Sequence, residues 1–401
     1  MELIASDGMR SRNGNVSRRS LLAAAAGIAG LAVTAAAAPP APAGTGPGPA
    51  ATRLQRDADS IHALGVTGVQ ARVTIGGRHF VATSGVADRV TGRPVPRDGR
   101  FRIASTRKAV VATVALQLVG EHRMGLDDTV ERWLPGVVHG DGHDGRRITV
   151  RHLLQNSSGL HDDPAGYTTP EEYHDQRYDP HTREELVAGA LSHRPDFPPG
   201  AGWAYSNTGF VLAGMIIERV TGRSLSEEIN DRIVRPLGLR GTSWPGAEPT
   251  LPRPHARAYE LFPGGELVDV TEQVSWDPDS MVSTTRDLDR FFRALLSGAL
   301  LPPAQLAAMK RTVRVSADIE QVWPGGRYGL GLVRRPLPCG GAYWGHDGGD
   351  AGYITQTGVT ADGRRSAVVS MSTALGDSLD HRLQQQRAAD TLVQNALCAR
   401  R

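Results

Sequence analysis

Ser105 and Lys108 stand three residues apart in the stretch Phe101-Arg102-Ile103-Ala104-Ser105-Thr106-Arg107-Lys108. An Ala/Val/Leu-rich run without a breaker follows from Ala109 to Val119 and reads as a buried helix. A serine at a helix start sits where backbone N–H groups point outward and the dipole favours negative charge. Three residues make about one turn, so Lys108 shares a face with Ser105. A desolvated lysine there can be neutral and take the serine proton, turning the hydroxyl into a nucleophile. A capping serine beside an ordinary surface lysine would be spelled the same way. Composition sharpens the choice, because of 45 Lys and Arg only Lys108 and Lys310 are lysine. Arginine stays charged at any usable pH. A lysine retained in such a chain is therefore a candidate for proton chemistry; residual codon drift is the plainer alternative, and it suits Lys310.

Two further segments carry polar chemistry. Tyr205-Ser206-Asn207 follows the Pro198-Pro199-Gly200 turn. A phenol can relay a proton and an amide can hold a carbonyl; a turn with a buried tyrosine is the plainer alternative. Gly345-His346-Asp347-Gly348-Gly349 closes a predicted strand. Its glycines admit a ligand close to the backbone, and His346 could be an acid, a base or a polar wall, or simply a turn histidine. His143-Asp144 and His161-Asp162-Asp163 read as solvated turns, and no His/Asp cluster has convincing metal-ligand spacing.

The elements that must position these residues are legible in outline. Arg53–Leu64 reads as a short amphipathic helix. Val66–Ile75 and His79–Val86 read as strands around the hairpin signal Gly76-Gly77. Residues from about 126 to 300 are helices and long loops, with helices at Phe210–Val220, Ser224–Ile233 and Asp287–Leu296. The last hundred residues return to strands at Tyr328–Val333, Ala342–Trp344, Tyr353–Val359 and Ser366–Met371, with Asp362-Gly363 as a tight turn and a closing helix from Leu379 to Leu397. The expected fold is α/β of the α+β kind: an antiparallel sheet built from both chain termini, flanked by helices, with a mostly helical lobe inserted. The sheet lobe is expected at about 50–110 and 300–401, the helical lobe at about 111–299, and the site in the cleft between them.

The 401 residues, with 47 Gly and 26 Pro, suit a large folded core rather than low-complexity sequence. Net charge is only +3, and no basic face marks a nucleic-acid binder. Residues 1–45 read as an export signal and linker. Ser17-Arg18-Arg19-Ser20 precedes an apolar run from Leu21 to Ala38 and then a Pro/Gly-rich stretch, which suggests the twin-arginine route. An uncleaved anchor is the alternative, although the alanine-rich run is at the lower limit for a span and no stable membrane span is expected.

Taken together, Ser105-x-x-Lys108, Tyr205-x-Asn207 and His346-Asp347-Gly348 resemble, in order and spacing, the serine penicillin-recognising superfamily of class C β-lactamases, DD-carboxypeptidases and related esterases. The histidine segment takes the place of that family's Lys-Thr-Gly. Supporting stretches are Leu153-Leu154-Gln155-Asn156-Ser157-Ser158-Gly159-Leu160, Thr208-Gly209-Phe210 and Pro236-Leu237-Gly238-Leu239. The resemblance runs from about residue 55 to the end and is nearest to secreted actinomycete D-alanyl-D-alanine carboxypeptidases. It implies that Ser105 forms an acyl-enzyme, with Lys108 or Tyr205 as base, Tyr205 as proton relay and His346 as a catalytic residue. Asn207 would hold the substrate amide, and backbone N–H groups of Ser105 and Gly349 beside Gly348 would form the oxyanion hole. No metal or cofactor is implied. The implied partners are peptidoglycan-type peptides or small esters and amides, with β-lactams as acylating inhibitors.

The chain departs from that pattern where a carboxypeptidase binds a free carboxylate. No Ser or Thr adjoins His346, and Asp347 would repel a carboxylate if it faced the cleft. In a strand-like segment it can instead point away. Arg334 is the candidate for the family's arginine, with Arg335 one residue on. Trp276 resembles an aromatic cleft wall, with plain core packing as the alternative. These points open the range to esters, D-amino-acid amides or β-lactams, and a non-enzymatic penicillin or peptide sensor is a further alternative. Export makes a Cys339–Cys398 disulfide plausible, stapling the closing helix to the sheet and contributing roughly 3–4 kcal/mol.

Overall fold

The computed structural model describes residues 48–162 and 166–399; the export signal and linker expected at 1–45 lie outside them. Helix α1 (Pro49–His62) opens with proline in its first turn, where no N–H partner is lost, and starts four residues earlier than the sequence pattern suggests. Strands β1 (Gly68–Ile75) and β2 (Arg78–Gly85) form a hairpin. Gly76 and Gly77 turn it at φ of 55° and 82°, conformations that glycine adopts without a Cβ penalty. The remaining strands of a nine-stranded sheet come late: β3 (Val313–Arg314), β4 (Arg327–Tyr328), β5 (Val333–Pro336), β6 (Ala342–Gly345), β7 (Gly348–Asp350), β8 (Tyr353–Thr360) and β9 (Arg365–Met371). Their order is β2-β1-β9-β8-β6-β5-β4-β3, with β7 attached to β8 alone. β1 pairs antiparallel with β9 from Val69↔Met371 to Ile75↔Arg365, so the sheet is built from both chain ends, as expected.

Strand alternation sorts the core into two layers. Ala367, Val369 and Met371 of β9 join α1 and the closing helix α5 (Leu379–Cys398) in one cluster. Val368 points the other way, into the larger cluster. That cluster surrounds α2 (Arg107–Gly120), whose residues from Arg107 to Leu116 are all buried. A helix apolar on every side is one that the fold encloses. Helix α3 (Asn207–Thr221) packs against it, capped by the Ser206 hydroxyl, which accepts from Gly209 N–H at 3.2 Å.

Three expectations need correction. The strand expected at Tyr328–Val333 is two strands, because Gly329-Leu330-Gly331 turns away. Leu330 N–H goes to Met309 O at 3.0 Å, and Gly331 N–H goes to Leu154 O at 2.9 Å, with Gly331 at φ 68°. A Cβ at Gly331 would stand 2.8 Å from Lys108 O, so this turn needs glycine to lie on α2. The helix expected at 224–233 runs from Leu225 to Ile229 and widens into a π turn over Asn230–Val234. Helix α4 (Thr285–Leu296), expected in the inserted lobe, packs on the sheet: Asp289 accepts from Thr74 and Ser366 hydroxyls of β1 and β9. Its apolar stripe of Phe291, Phe292, Leu295 and Leu296 faces the core.

Cys339 and Cys398 form a disulfide with Cα atoms 5.8 Å apart, tying the β5–β6 connection to the end of α5. Replacing both cysteines by alanine should lower unfolding free energy by roughly 3–4 kcal/mol, measured by urea titration under non-reducing conditions. An unchanged midpoint would mean that the packing of α5 alone holds the C-terminus.

Candidate active site

Phe101-Arg102 pairs with Val282-Ser283 and delivers the chain into a short 3₁₀ turn, Ala104–Thr106, that runs directly into α2. Ala104 takes φ 47°, a left-handed conformation that costs a non-glycine residue of order 1–3 kcal/mol and recurs at functional turns. One turn on, Lys108 Nζ lies 2.8 Å from Ser105 Oγ and donates to Asn207 Oδ1 at 2.6 Å. The Tyr205 hydroxyl is also within hydrogen-bonding reach of Ser105. The amine sits 4.8 Å from the Tyr205 ring centre and 5.6 Å from that of Phe210. Ser105, Lys108, Tyr205 and Asn207 are thus brought together as their spacing implied.

Electrostatics decide what this group can do. Lys108 is 2% exposed, and burial, reinforced by the neighbouring Arg107 charge, lowers its pKa to about 7. Asp277 and Asp162 pull the other way. Near neutrality a sizeable fraction of Lys108 is therefore free amine, able to accept the Ser105 proton. Burial pushes the Tyr205 phenol up, so it stays protonated and can donate.

Asn207 is more engaged than a substrate-facing amide. Its Nδ2 donates to Asp162 Oδ2 at 3.0 Å, and its backbone N–H, at the start of α3, donates to Asp162 Oδ1 at 2.6 Å. Asp162, read from sequence as part of a solvated turn, instead orients the amide that holds Lys108, while burial raises its pKa. His143, read likewise, is also buried, with Nε2 donating to His193 O at 2.8 Å. Among the described residues no group of three His, Cys, Asp or Glu side chains is arranged to hold a metal ion, and no helix is long and apolar enough to cross a membrane.

The third segment is a wall rather than a proton donor. His346 is fully buried, and burial together with Lys108 lowers its pKa to about 3. Its Nδ1 lies 2.7 Å from Asp347 O and must donate to that carbonyl. Nε2 is then the acceptor for the Tyr328 hydroxyl at 3.0 Å. With both nitrogens committed, the expected catalytic part for His346 gives way to a neutral structural one. Gly348 lies so close to the nucleophile turn that a Cβ would stand 2.2 Å from Ile103 O. Thr106 Oγ1 donates to His346 O at 3.2 Å across the same contact. β7 pairs with β8 alone and packs against this turn.

Asp347 does not face the cleft. Arg335, 3% exposed, donates to both its oxygens at 2.9 Å and to Asp390 of α5 at 2.8 Å, and Trp323 Nε1 donates to it at 2.9 Å. Arg335 is thus the arginine beneath the third segment; Arg334, the expected one, is half-buried and borders neither cleft pocket. Sequence reading missed the Arg107–Asp277 pair, joined through Nε at 2.6 Å. Its one signal was a second cation spelled directly beside Lys108.

Trp276 and Gly349 do line the cleft. A narrow pocket of about 20 Å3 holds Ser105, Lys108, Asn207, Trp276, Gly349 and Asp350. Trp276, Gly349 and Asp350 also border a cavity of about 560 Å3 that reaches Tyr167, Phe262, Glu260 and Arg382. The site is a nucleophile turn opening beside Trp276 into an acyl-sized chamber.

The profile of the family described as Beta-lactamase matches residues 51–392. The chain belongs to the beta-lactamase family. It has that family's mixed α/β fold. A D-stereospecific amidohydrolase from Streptomyces sp. superposes with a TM-score of 0.75 at 40% identity, covering 84% of this chain and 98% of that one. Penicillin-binding protein 4* of Bacillus subtilis is 28% identical over 71% of this chain and 63% of its own length. Esterase EstB of Burkholderia gladioli is 35% identical over 44% of this chain and 47% of its own length. The chain thus spans less than two thirds of these two curated relatives.

Activity on a neutral ester should rise with pH through about 7, because only the amine form of Lys108 accepts the serine proton. Arg107→Gln removes a buried positive charge and should move that acid limb up by about one pH unit; Asp277→Asn leaves Arg107 uncompensated and should move it down. The pH profile of kcat/KM checks both, and a limb that ignores the two changes would show that the pair does not act on Lys108.

Proposed function

We propose that the protein is an exported hydrolase of D-amino-acid amides and esters, acting through an acyl-enzyme on Ser105. Lys108 takes the hydroxyl proton as Oγ attacks the carbonyl carbon, and the Tyr205 hydroxyl passes a proton to the departing amine or alcohol. Backbone N–H groups of Ser105 and Gly349 are the proposed oxyanion donors, with Trp276 as the wall of the acyl chamber. The observation that carries the nucleophile is the 2.8 Å approach of a buried, unusually acidic lysine to Ser105.

Charge supports the choice of substrate. A carboxypeptidase needs a free cation for the terminal carboxylate. In the narrow pocket Arg107 is already paired with Asp277, and in the chamber Arg382 stands against Glu260 and Asp350. The kinship in sequence and shape with the Streptomyces amidohydrolase points the same way. The second reading is a D-alanyl-D-alanine carboxypeptidase acting on cell-wall peptides and acylated by β-lactams; the relative named as a penicillin-binding protein favours it. Export is favoured by the disulfide, which forms and persists in oxidising compartments, and the paired arginines suggest the twin-arginine route.

A steady-state panel tests the reading. A D-phenylalanine amide or ester should be turned over at least tenfold faster than its L-isomer and than a D-Ala-D-Ala peptide. Turnover of the peptide above the amide and ester would instead establish the carboxypeptidase, and Lys108→Met should cost about 10²–10⁴-fold on whichever substrate is best.

A further inference from the structure

We propose that the narrow pocket behind Ser105 seats the water that hydrolyses the acyl-enzyme, and that the Asp350 carboxylate takes that water's proton. The inference rests on the acyl-enzyme reading above. The pocket's free volume of about 20 Å3 is that of a single water site. Ser105, Lys108, Ser275, Asp277, Ser280 and Asp350 all line it.

Two of its polar groups are left without a protein hydrogen-bond partner. Ser280 is 5% exposed and its hydroxyl bonds to nothing in the chain; Arg107 is 1% exposed and its Nη1 likewise has no acceptor. Buried donors in that state are costly unless a bound molecule satisfies them. A water needs two to four polar neighbours, and this pocket offers a hydroxyl, a guanidinium N–H and a carboxylate.

The two carboxylates are not equivalent. Asp277 is committed to Arg107 through an ion pair. Asp350 accepts the Ala351 N–H at 2.9 Å and has no Lys or Arg nitrogen within ion-pair distance among the described residues. Burial raises its pKa, with Arg102 tempering the rise at longer range, and of the two carboxylates it is the one that no guanidinium claims. It also directly follows Gly349, whose N–H faces the same reacting carbonyl in the proposed oxyanion hole.

The step balances as follows. The water oxygen bonds to the acyl carbonyl carbon while one of its protons passes to Asp350. The intermediate collapses by breaking the bond between that carbon and Ser105 Oγ. Oγ recovers a proton from the Lys108 ammonium, which leaves Lys108 as the free amine; Asp350 gives the water's proton to solvent, and solvent restores the proton that Tyr205 passed to the leaving group. The product leaves as the free acid.

Burst kinetics with p-nitrophenyl acetate on the full chain, with mass analysis of quenched samples, test this. Asp350→Asn keeps the acceptor for Ala351 N–H. It should retain the first-turnover burst of p-nitrophenolate while the steady-state rate falls on the order of 100-fold, with an acetyl group persisting on Ser105. Ser280→Val fills the pocket with methyl groups and should give the same split with the carboxylate intact. Wild-type steady-state turnover in either variant overturns the proposal, as does an equal fall of burst and steady state. If the wild type forms no adduct on Ser105, the acyl-enzyme reading fails and takes this inference with it; an adduct with undisturbed turnover removes this inference alone.

Discussion

A primary amine sealed inside protein has to surrender either its proton or its place, and the structure is organised so that Lys108 surrenders the proton. Its surroundings are two aromatic rings, one hydroxyl and one amide oxygen. An ammonium would keep only a fraction of its hydration there. The adjacent Arg107 charge adds to the burden, and Asp277 keeps that burden partial. Several elements meet at this nitrogen. α2 supplies it from a helix buried on all sides, Gly331 lets the β4–β5 turn lie on its backbone, and α3 brings Asn207, fixed in turn by Asp162.

The same constraint explains why the third segment presents an imidazole with both nitrogens occupied. A charged group at that position would add to the positive charge that Arg107 already sets beside Lys108 in a low-dielectric site. Neutral His346 avoids the conflict and still offers two hydrogen bonds, one from Tyr328 and one to its own turn. Rigidity comes from beneath. Arg335 lies between Asp347 and Asp390, so the segment beside the nucleophile is bonded to the closing helix, which the disulfide fastens at its end. A buried arginine between two carboxylates is weak evidence for added stability but strong evidence for a fixed geometry, since losing any one member strands a charge.

The sheet from both termini, the enclosed helix after Ser105 and the strand turns at Gly76-Gly77 and Asp362-Gly363 were legible because each is a local pattern: period two, an unbroken apolar run, a glycine pair. The Ser105–Lys108–Tyr205–Asn207 group was legible because helix spacing and segment order carry it. Asp162 was not, because an acid in a polar loop looks the same whether the loop is solvated or folded under a helix start. Arg334 and Arg335 could not be told apart, since a one-residue slip in strand register exchanges faces. The split of Tyr328–Val333 was hidden because the carbonyls that claim its N–H groups belong to Met309 and Leu154, far away in sequence.

Substrate charge follows from how the buried arginines are used. Arg102 is fully buried and donates to three backbone carbonyls, those of Thr271, Pro249 and Gln273. Arg107 is paired with Asp277, and Arg335 with Asp347 and Asp390. Each was placed to hold structure or to bias Lys108, and diverting one to a ligand carboxylate would strand its present partner. Asp350 and Glu260 are in the opposite condition: both border the acyl chamber without an ion pair, and burial raises both, Glu260 to about 7. A ligand bringing a carboxylate into that chamber would meet Arg382 only alongside two acids. A neutral acyl group, or one carrying an ammonium, meets no such opposition, and that asymmetry supports the proposed preference for amides and esters over peptides with a free terminal carboxylate.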